Sequence, residues 1–214
     1  MEDRVLLKGV LHGSLHAFKR IVSEYGPLVS RTSYRILCDR SDSEFVAREV
    51  FVFLWHDPLA FMTDRTLAHE LLKKTSRSCR KRLMLRKLYD IFSVRPDIFV
   101  VQTSPGVSRD EYIARQVWEV FCRASSHCTD RQRIVYSLHE LEGVPLSETA
   151  EVGYYLPFTV EEALEEARSS VKEELDRYGR ISDYNAYVGY LRNIDNQLID
   201  RSKLMNNIMQ EIFS

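Results

Sequence analysis

Glycine and proline are scarce in this chain, 8 and 6 among 214 residues, and stretches of strict apolar alternation are scarcer still. Both absences argue against sheets and their turn-rich connections, and most of the sequence reads at helical spacing. No uninterrupted apolar run approaches the ~20 residues that cross a bilayer, so membrane insertion is not expected. The opening Met1-Glu2-Asp3-Arg4 lacks the basic-then-apolar order of a secretory leader, and the expectation is a soluble, cytoplasmic protein. The four cysteines, Cys38, Cys79, Cys122 and Cys128, form no Cys-x-x-Cys pair and suit a reducing compartment. Cys122, His127 and Cys128 have no fourth ligand at a recognisable spacing, so neither a metal nor another cofactor is expected. His12, His16, His56, His69, His127 and His139 stand beside no nucleophile or carboxylate pattern, and neither a phosphate-binding glycine loop nor a His-Glu-x-x-His motif is present. An enzyme is the least expected class.

What is present is charge, unevenly placed. The chain has 30 basic and 31 acidic side chains for a net of -1, but residues 1–100 hold 18 basic and 12 acidic, net +6, and the remainder 12 and 19, net -7. Halves of opposite sign point to two modules with different partners. With 44% hydrophobic residues the chain has enough apolar material for one large or two small cores. The expected fold is all-α: two small helical domains joined by a linker, plus a C-terminal helix. The division reads as a helical domain over 1–92, a linker over 93–110 marked by Pro96, Pro105 and Gly106, a second domain over 111–180, and an amphipathic helix over 181–214.

In the first domain the spacing predicts helices over about 4–22, from Pro27 to Leu37, from Asp42 or Ser43 to Trp55, and from Asp64 to Phe92. The last is the most basic stretch of the chain. Between Arg65 and Lys87 nine cations, among them Lys73, Lys74, Arg77, Arg80, Lys81, Arg82, Arg86 and Lys87, face one anion, Glu70, for a local charge of +8. Charge runs are commonly solvated faces, but these cations repel each other by more than surface pairs offset. A phosphate backbone removes that repulsion, so the eight named residues are the candidate DNA contacts.

In the second domain helices are expected over Glu111 to Ala124, Thr129 to Leu141, Leu146 to Val152 and Thr159 to Tyr178, with Thr129 or Asp130 as a cap. Short helices separated by tight turns have the form of a helix-turn-helix module.

Here the sequence resembles the extracytoplasmic-function sigma factors, the compact two-domain class of the sigma-70 family, over about residues 12–178. The first domain of that family carries Ala-Glu-Asp-x-x-Gln-Glu-x-Phe-x-x-x-Trp, and Ser43 to Trp55 keeps Glu44, Glu49, Phe51 and Trp55 in register. Phe45 and Arg48 replace the family's Asp and Gln. The resemblance implies a region 2-like bundle whose polar helix face, Glu44, Arg48 and Glu49, docks on the clamp of core RNA polymerase, while the basic helix contacts promoter DNA. The second domain matches the family's region 4 helix-turn-helix at Glu142-Gly143, at Glu148 and Ala150, and at Thr159, Val160, Glu161 and Leu164. The partners it implies are core RNA polymerase, promoter DNA and an anti-sigma factor, with transcription initiation as the function.

Two departures stand beside these matches. Positions where the family presents Lys and Arg to DNA hold Glu161, Ala163 and Glu166, and from Thr159 to Asp176 seven acids oppose Arg168 and Lys172, net -5. Such a helix is repelled by phosphates. The turn before it, Gly153 to Phe158, is apolar and aromatic; it either tucks into the core or forms a protein-binding surface. The alternative function is therefore a degenerate sigma homologue that acts as a protein-interaction or regulatory module. Beyond residue 181, Tyr184, Leu191, Leu198, Met205 and Ile212 recur every seven residues with Tyr187, Ile194 and Ile208 offset by three, a heptad seam. If continuous it spans ~45–50 Å, and it either docks back on the body or mediates self-association as a coiled coil.

Overall fold

The architecture is that of a computed structural model, and it describes residues 2–90, 109–178, 181, 183–193 and 201–213. Among the described residues every regular element is helical. Most of the 93–110 segment, and Phe92, Ile194 and Leu198, lie outside them. The chain divides into two compact units, one of Met1–Arg82, Glu151–Tyr154 and Ile199–Ser214, the other of Leu83–Ala150 and Tyr155–Leu198.

The first unit opens with two helices where the sequence predicts breaks in other places. Helix α1 covers Glu2–Leu11 and α2 covers Leu15–Leu37. The chain turns between them because the Ser14 side chain accepts from the Ala17 N–H and caps a new helix. Gly9 allows the two helices to approach: a Cβ there would lie 2.8 Å from the Ala17 Cβ. Pro27, expected to start a helix, lies inside α2. An interior proline costs about 3 kcal/mol, but the buried stripe of α2 runs through Phe18 and Ile21 before it and Val29 and Ile36 after it. Burial of about 1.5–3 kcal/mol for each such side chain outweighs the lost hydrogen bond.

Helix α3, Arg40–His56, begins three or four residues earlier than expected because its cap is Asp39, which accepts from the Asp42 N–H, and not Asp42 or Ser43. It stops at Asp57-Pro58, as the sequence predicts, and a 3-10 turn follows over Pro58–Phe61. Val46, Ala47, Val50, Phe51 and Leu54 form its fully buried stripe. Helix α4, Leu67–Asp90, supplies Leu67, Leu71 and Cys79 to the same unit.

In the second unit α5 spans Arg109–His127 and α6 spans Asp130–Tyr136. Thr129 and Gln132 close a capping box at the start of α6. The helix expected to continue to Leu141 does so as a π-helical turn over Ser137–Leu141. Gly143 then reverses the chain with φ +73°, a conformation that needs a residue without Cβ. Helix α7, Leu146–Gly153, and α8, Phe158–Tyr178, follow as the sequence predicts, α7 straddling the division between the units. The core of the second unit forms where α8 packs on α5 and α6, around Phe121, Ile134, Val160, Leu164 and Val171.

The C-terminal stretch holds two helices in different units. Helix α9, Tyr184–Asn193, packs on α5; its Tyr187 hydroxyl donates to the Val117 carbonyl at 2.9 Å. Helix α10, Arg201–Phe213, packs on α2 and α3. The heptad positions are buried at Tyr187 and Leu191 in α9 and at Ile208 in α10, where Met205 and Ile212 are half-buried and Leu204, off the seam, is buried as well.

Candidate nucleic-acid and partner interfaces

Of the eight cations proposed for DNA, most are engaged by other groups of the chain. Arg82 donates to Asp42 at 2.6 Å and its guanidinium lies 4.5 Å from the centre of the Phe45 ring. Lys73 sits 3.5 Å from Glu151, a carboxylate that also meets Arg65 at 2.6 Å and His69 at 3.3 Å. Burial pushes the Glu151 carboxyl up, but Arg65, His69 and Lys73 outweigh it and hold it below its ordinary range. Arg80 donates to the Gly153 carbonyl and lies over the Tyr154 ring. Lys87 pairs with Asp130 at 2.8 Å, and Arg86 is half-buried and engaged. The repulsion inferred from sequence is therefore relieved in good part by carboxylates distant in the chain, with Asp42, Glu151 and Asp130 as the counter-charges.

Lys74, Arg77 and Lys81 remain as a cationic ridge. They stand at i, i+3 and i+7 on α4, along one face. Arg77 and Lys81 are exposed, whereas the Lys74 ammonium is half-buried 3.5 Å above the Phe53 ring. Burial lowers the Lys74 pKa, with Arg77 and Lys81 adding to the effect against the opposing pull of Glu49 and Asp57. A cation held in place by an aromatic face and crowded by two others is one that an incoming anion stabilises.

The polar face of α3 is occupied. Glu44 accepts from Arg40 at 3.1 Å and from Lys203 of α10 at 2.8 and 3.0 Å. Burial pushes its carboxyl up, but the bonds from Lys203 and Arg40 prevail and hold it below the usual range. Arg48 lies 2.5 Å from Glu211 of α10 and stacks over Phe45 at 5.5 Å. Glu49 is half-buried and close enough to Lys74 to act on its charge. Val50, Phe51 and Leu54 are core, and the half-buried Trp55 meets Phe18 edge-on at 5.1 Å and Phe213 at 6.2 Å.

The helix-turn-helix positions build the second unit's core more than a surface. Ala150, Val160 and Leu164 are buried, and so is Ala163, which removes it from the positions able to face DNA. Glu148 and Thr159 are half-buried, and the Thr159 hydroxyl donates to the Leu156 carbonyl. Glu161, Glu162, Glu165 and Glu166 are exposed. The three cations of α8 are all engaged: Arg168 donates to Glu140 at 2.6 and 2.9 Å and to Glu165 at 2.7 Å, Lys172 lies over the Tyr184 ring, and Arg177 pairs with Glu173 and Glu174, so that none of them is spent on Glu161 or Glu162. The aromatic turn does not tuck Tyr154, Leu156 and Phe158 into the core, and Tyr154 is exposed. Tyr155 is half-buried, while Leu156 and Phe158 are 62% and 76% exposed. Tyr154 adopts φ +56°, the left-handed conformation for which a glycine is suited and a tyrosine is not.

The partners that sequence reasoning missed are Asp42, Phe45, Glu140, Glu151, Lys203 and Glu211. Only Phe45 carried a local signal, being one turn from Arg48; the others meet their partners across 28 or more residues. Among the described residues no group of three His, Cys, Asp or Glu is placed to hold a metal ion, the cysteines are free thiols, and no helix is long and apolar enough to cross a membrane. No protein-family model matches the chain, and comparison with curated proteins gives no match.

Proposed function

We propose that the protein is a sigma-factor-like transcription protein, engaging core RNA polymerase through the α3 face and promoter DNA through α4, in the cytoplasm and under the control of an anti-sigma factor. The observation that carries this reading is the ridge of Lys74, Arg77 and Lys81, of which Arg77 and Lys81 are exposed while neighbouring cations are paired with Glu151, Asp42 and Asp130. Over ~10 Å of helix it faces several phosphates of a duplex, which carries one charge per ~1.7 Å. The family resemblance at Glu44, Glu49, Phe51 and Trp55 supplies the polymerase half of the reading, and the α7–turn–α8 spacing the region 4-like half. In this reading α8 does not grip DNA, because its exposed carboxylates offer no donor to phosphate oxygens.

The testing experiment is promoter-directed transcription with purified core polymerase. Specific initiation supports the proposal; binding of polymerase without initiation favours the second reading, a protein-interaction or regulatory module. That second reading has its own support in the exposed Leu156 and Phe158 beside the carboxylates of Glu161 and Glu162. Binding of neither polymerase nor DNA removes both.

A further inference from the structure

The residues assigned to polymerase docking are covered by the chain's own last helix. Lys203 bonds Glu44, Glu211 pairs with Arg48, and Phe213 meets Trp55. These three contacts ascend together in both helices, over ~15 Å of α10 and ~16 Å of α3 at 1.5 Å per residue, so α10 lies along α3 with the same chain direction. Between the two ion pairs the anchors are Leu204 and Ile208, one turn apart and 9% and 0% exposed. Leu204 seats over Gly26 of α2, where its Cδ2 lies 3.2 Å from the position a Cβ would take.

We propose that α10 is a resident competitor for the α3 face, and that core polymerase docks there only after displacing it. The inference rests on the reading that α3 is the polymerase-docking helix. Two properties fit α10 for exchange. It is held by two fully packed side chains and by ion pairs whose members are 34–49% exposed, and such pairs are weak and screened by salt. Its chemistry also states what a displacing helix must offer: an aliphatic pair one turn apart, a cation toward Glu44 and a carboxylate toward Arg48. A complementary helix from a partner satisfies the same face in the same way, so release of α10 leaves no charge of α3 unpaired in the complex.

The test uses the full chain with Lys203→Glu, which turns one ion pair into a repulsion at an exposed site, and with Ile208→Asp, which puts a charge into the buried anchor. Hydrogen exchange over 201–213 and over α3 reports whether α10 has left, and binding to purified core RNA polymerase reports the consequence. The expected result is faster exchange in both segments and about tenfold tighter binding to polymerase, the gain that follows if the face is open in one molecule in ten. Adding Glu44→Lys to Lys203→Glu restores slow exchange by re-forming the pair with its charges swapped. Ile208→Asp serves as the stronger release, and Lys203→Glu retains the test if that variant fails to fold. Unchanged exchange in Lys203→Glu overturns the inference whatever polymerase does. Faster exchange with polymerase affinity equal to the unaltered protein's overturns the inference and leaves α3 as the docking helix. No polymerase binding by any form, with α10 demonstrably released, overturns the docking role of α3 itself. A concentration-dependent mass of the unaltered protein that Ile208→Asp abolishes would place α10 on a second copy, against the intramolecular contact.

Discussion

Helices α4 and α8 are the two long helices that should meet DNA in a sigma-like protein, 24 and 21 residues, and they treat their charges in opposite ways. On α4 an excess of cations is thinned by carboxylates from elsewhere until a ridge of three is left. On α8 the three cations are engaged by Glu140, Glu165, Glu173, Glu174 and the Tyr184 ring, so the carboxylates of Glu161 and Glu162 are presented with no cation against them. The formal charge of a helix therefore overstates what α4 shows to a partner, while the first turn of α8 keeps its charge on display. What a polyanion meets is the set of charges left over after folding, and only the structure identifies that set.

The largest expected effects come from breaking one unit at a time. Leu71→Ala and Leu164→Ala each remove a side chain with 3% exposure or less, in the first and second unit respectively. Each is predicted to cost about 2–5 kcal/mol, read by denaturant unfolding as loss of one transition. If DNA binding belongs to α4, Leu71→Ala weakens it under partly denaturing conditions and Leu164→Ala does not. The reverse pattern would assign DNA to α8.

Next in size is the charge comparison itself. Arg77→Ala with Lys81→Ala is predicted to lower affinity for duplex DNA about tenfold at low salt and to reduce the slope of log K against log salt by about 2, one unit for each phosphate left without its cation. Arg82→Ala is predicted to lower stability more than the salt slope, since its guanidinium is spent on Asp42 and Phe45. Glu161→Lys with Glu166→Lys should leave DNA affinity unchanged or raise it. Binding titrations at several salt concentrations separate these outcomes, and a fall in affinity for the second pair would falsify the account of α8.

Much of the fold was legible because it follows from local rules. The stop at Asp57-Pro58, the Thr129 cap and the α7–turn–α8 spacing are each set within a few residues. The failures have two causes, packing that overrides a local preference and a choice among neighbouring residues equally suited to cap a helix. Pro27 reads as a helix start, but the apolar stripe of α2 continues through it; Asp39 takes the cap that Asp42 and Ser43 each looked suited to supply. The site was less legible than the fold. Periodicity placed Lys73, Arg80 and Arg82 on a basic helix correctly, yet whether a cation is presented depends on Glu151, the Gly153 carbonyl and Asp42, whose distance in sequence carries no signal.

A smaller effect tests the two turns that flank α7. Gly143 and Tyr154 both have positive φ, at +73° and +56°. Nothing lies within 4 Å of a Cβ built at Gly143, so Gly143→Ala is predicted to cost only the backbone strain, about 1–2 kcal/mol. Tyr154→Gly removes strain of the same kind, but it also removes the ring beneath Lys73 and Arg80. Its net change in stability is predicted to fall within about 1 kcal/mol of zero, measured by thermal unfolding beside Gly143→Ala.

The smallest effect concerns the charge that α10 satisfies on α3. Because the Glu44 carboxyl is held below its ordinary value by Lys203 and Arg40, its contribution is fully present above the ordinary carboxylate pKa and is lost as pH falls through the lowered one. Acidification should therefore loosen α10 by less than about 1 kcal/mol, the scale of an exposed pair, and salt should act in the same direction. Trp55, which touches Phe213, reports the change by fluorescence once the other tryptophan is removed as Trp118→Phe. A Trp55 signal that follows neither pH nor salt would show that the charges on α3 are not held by α10.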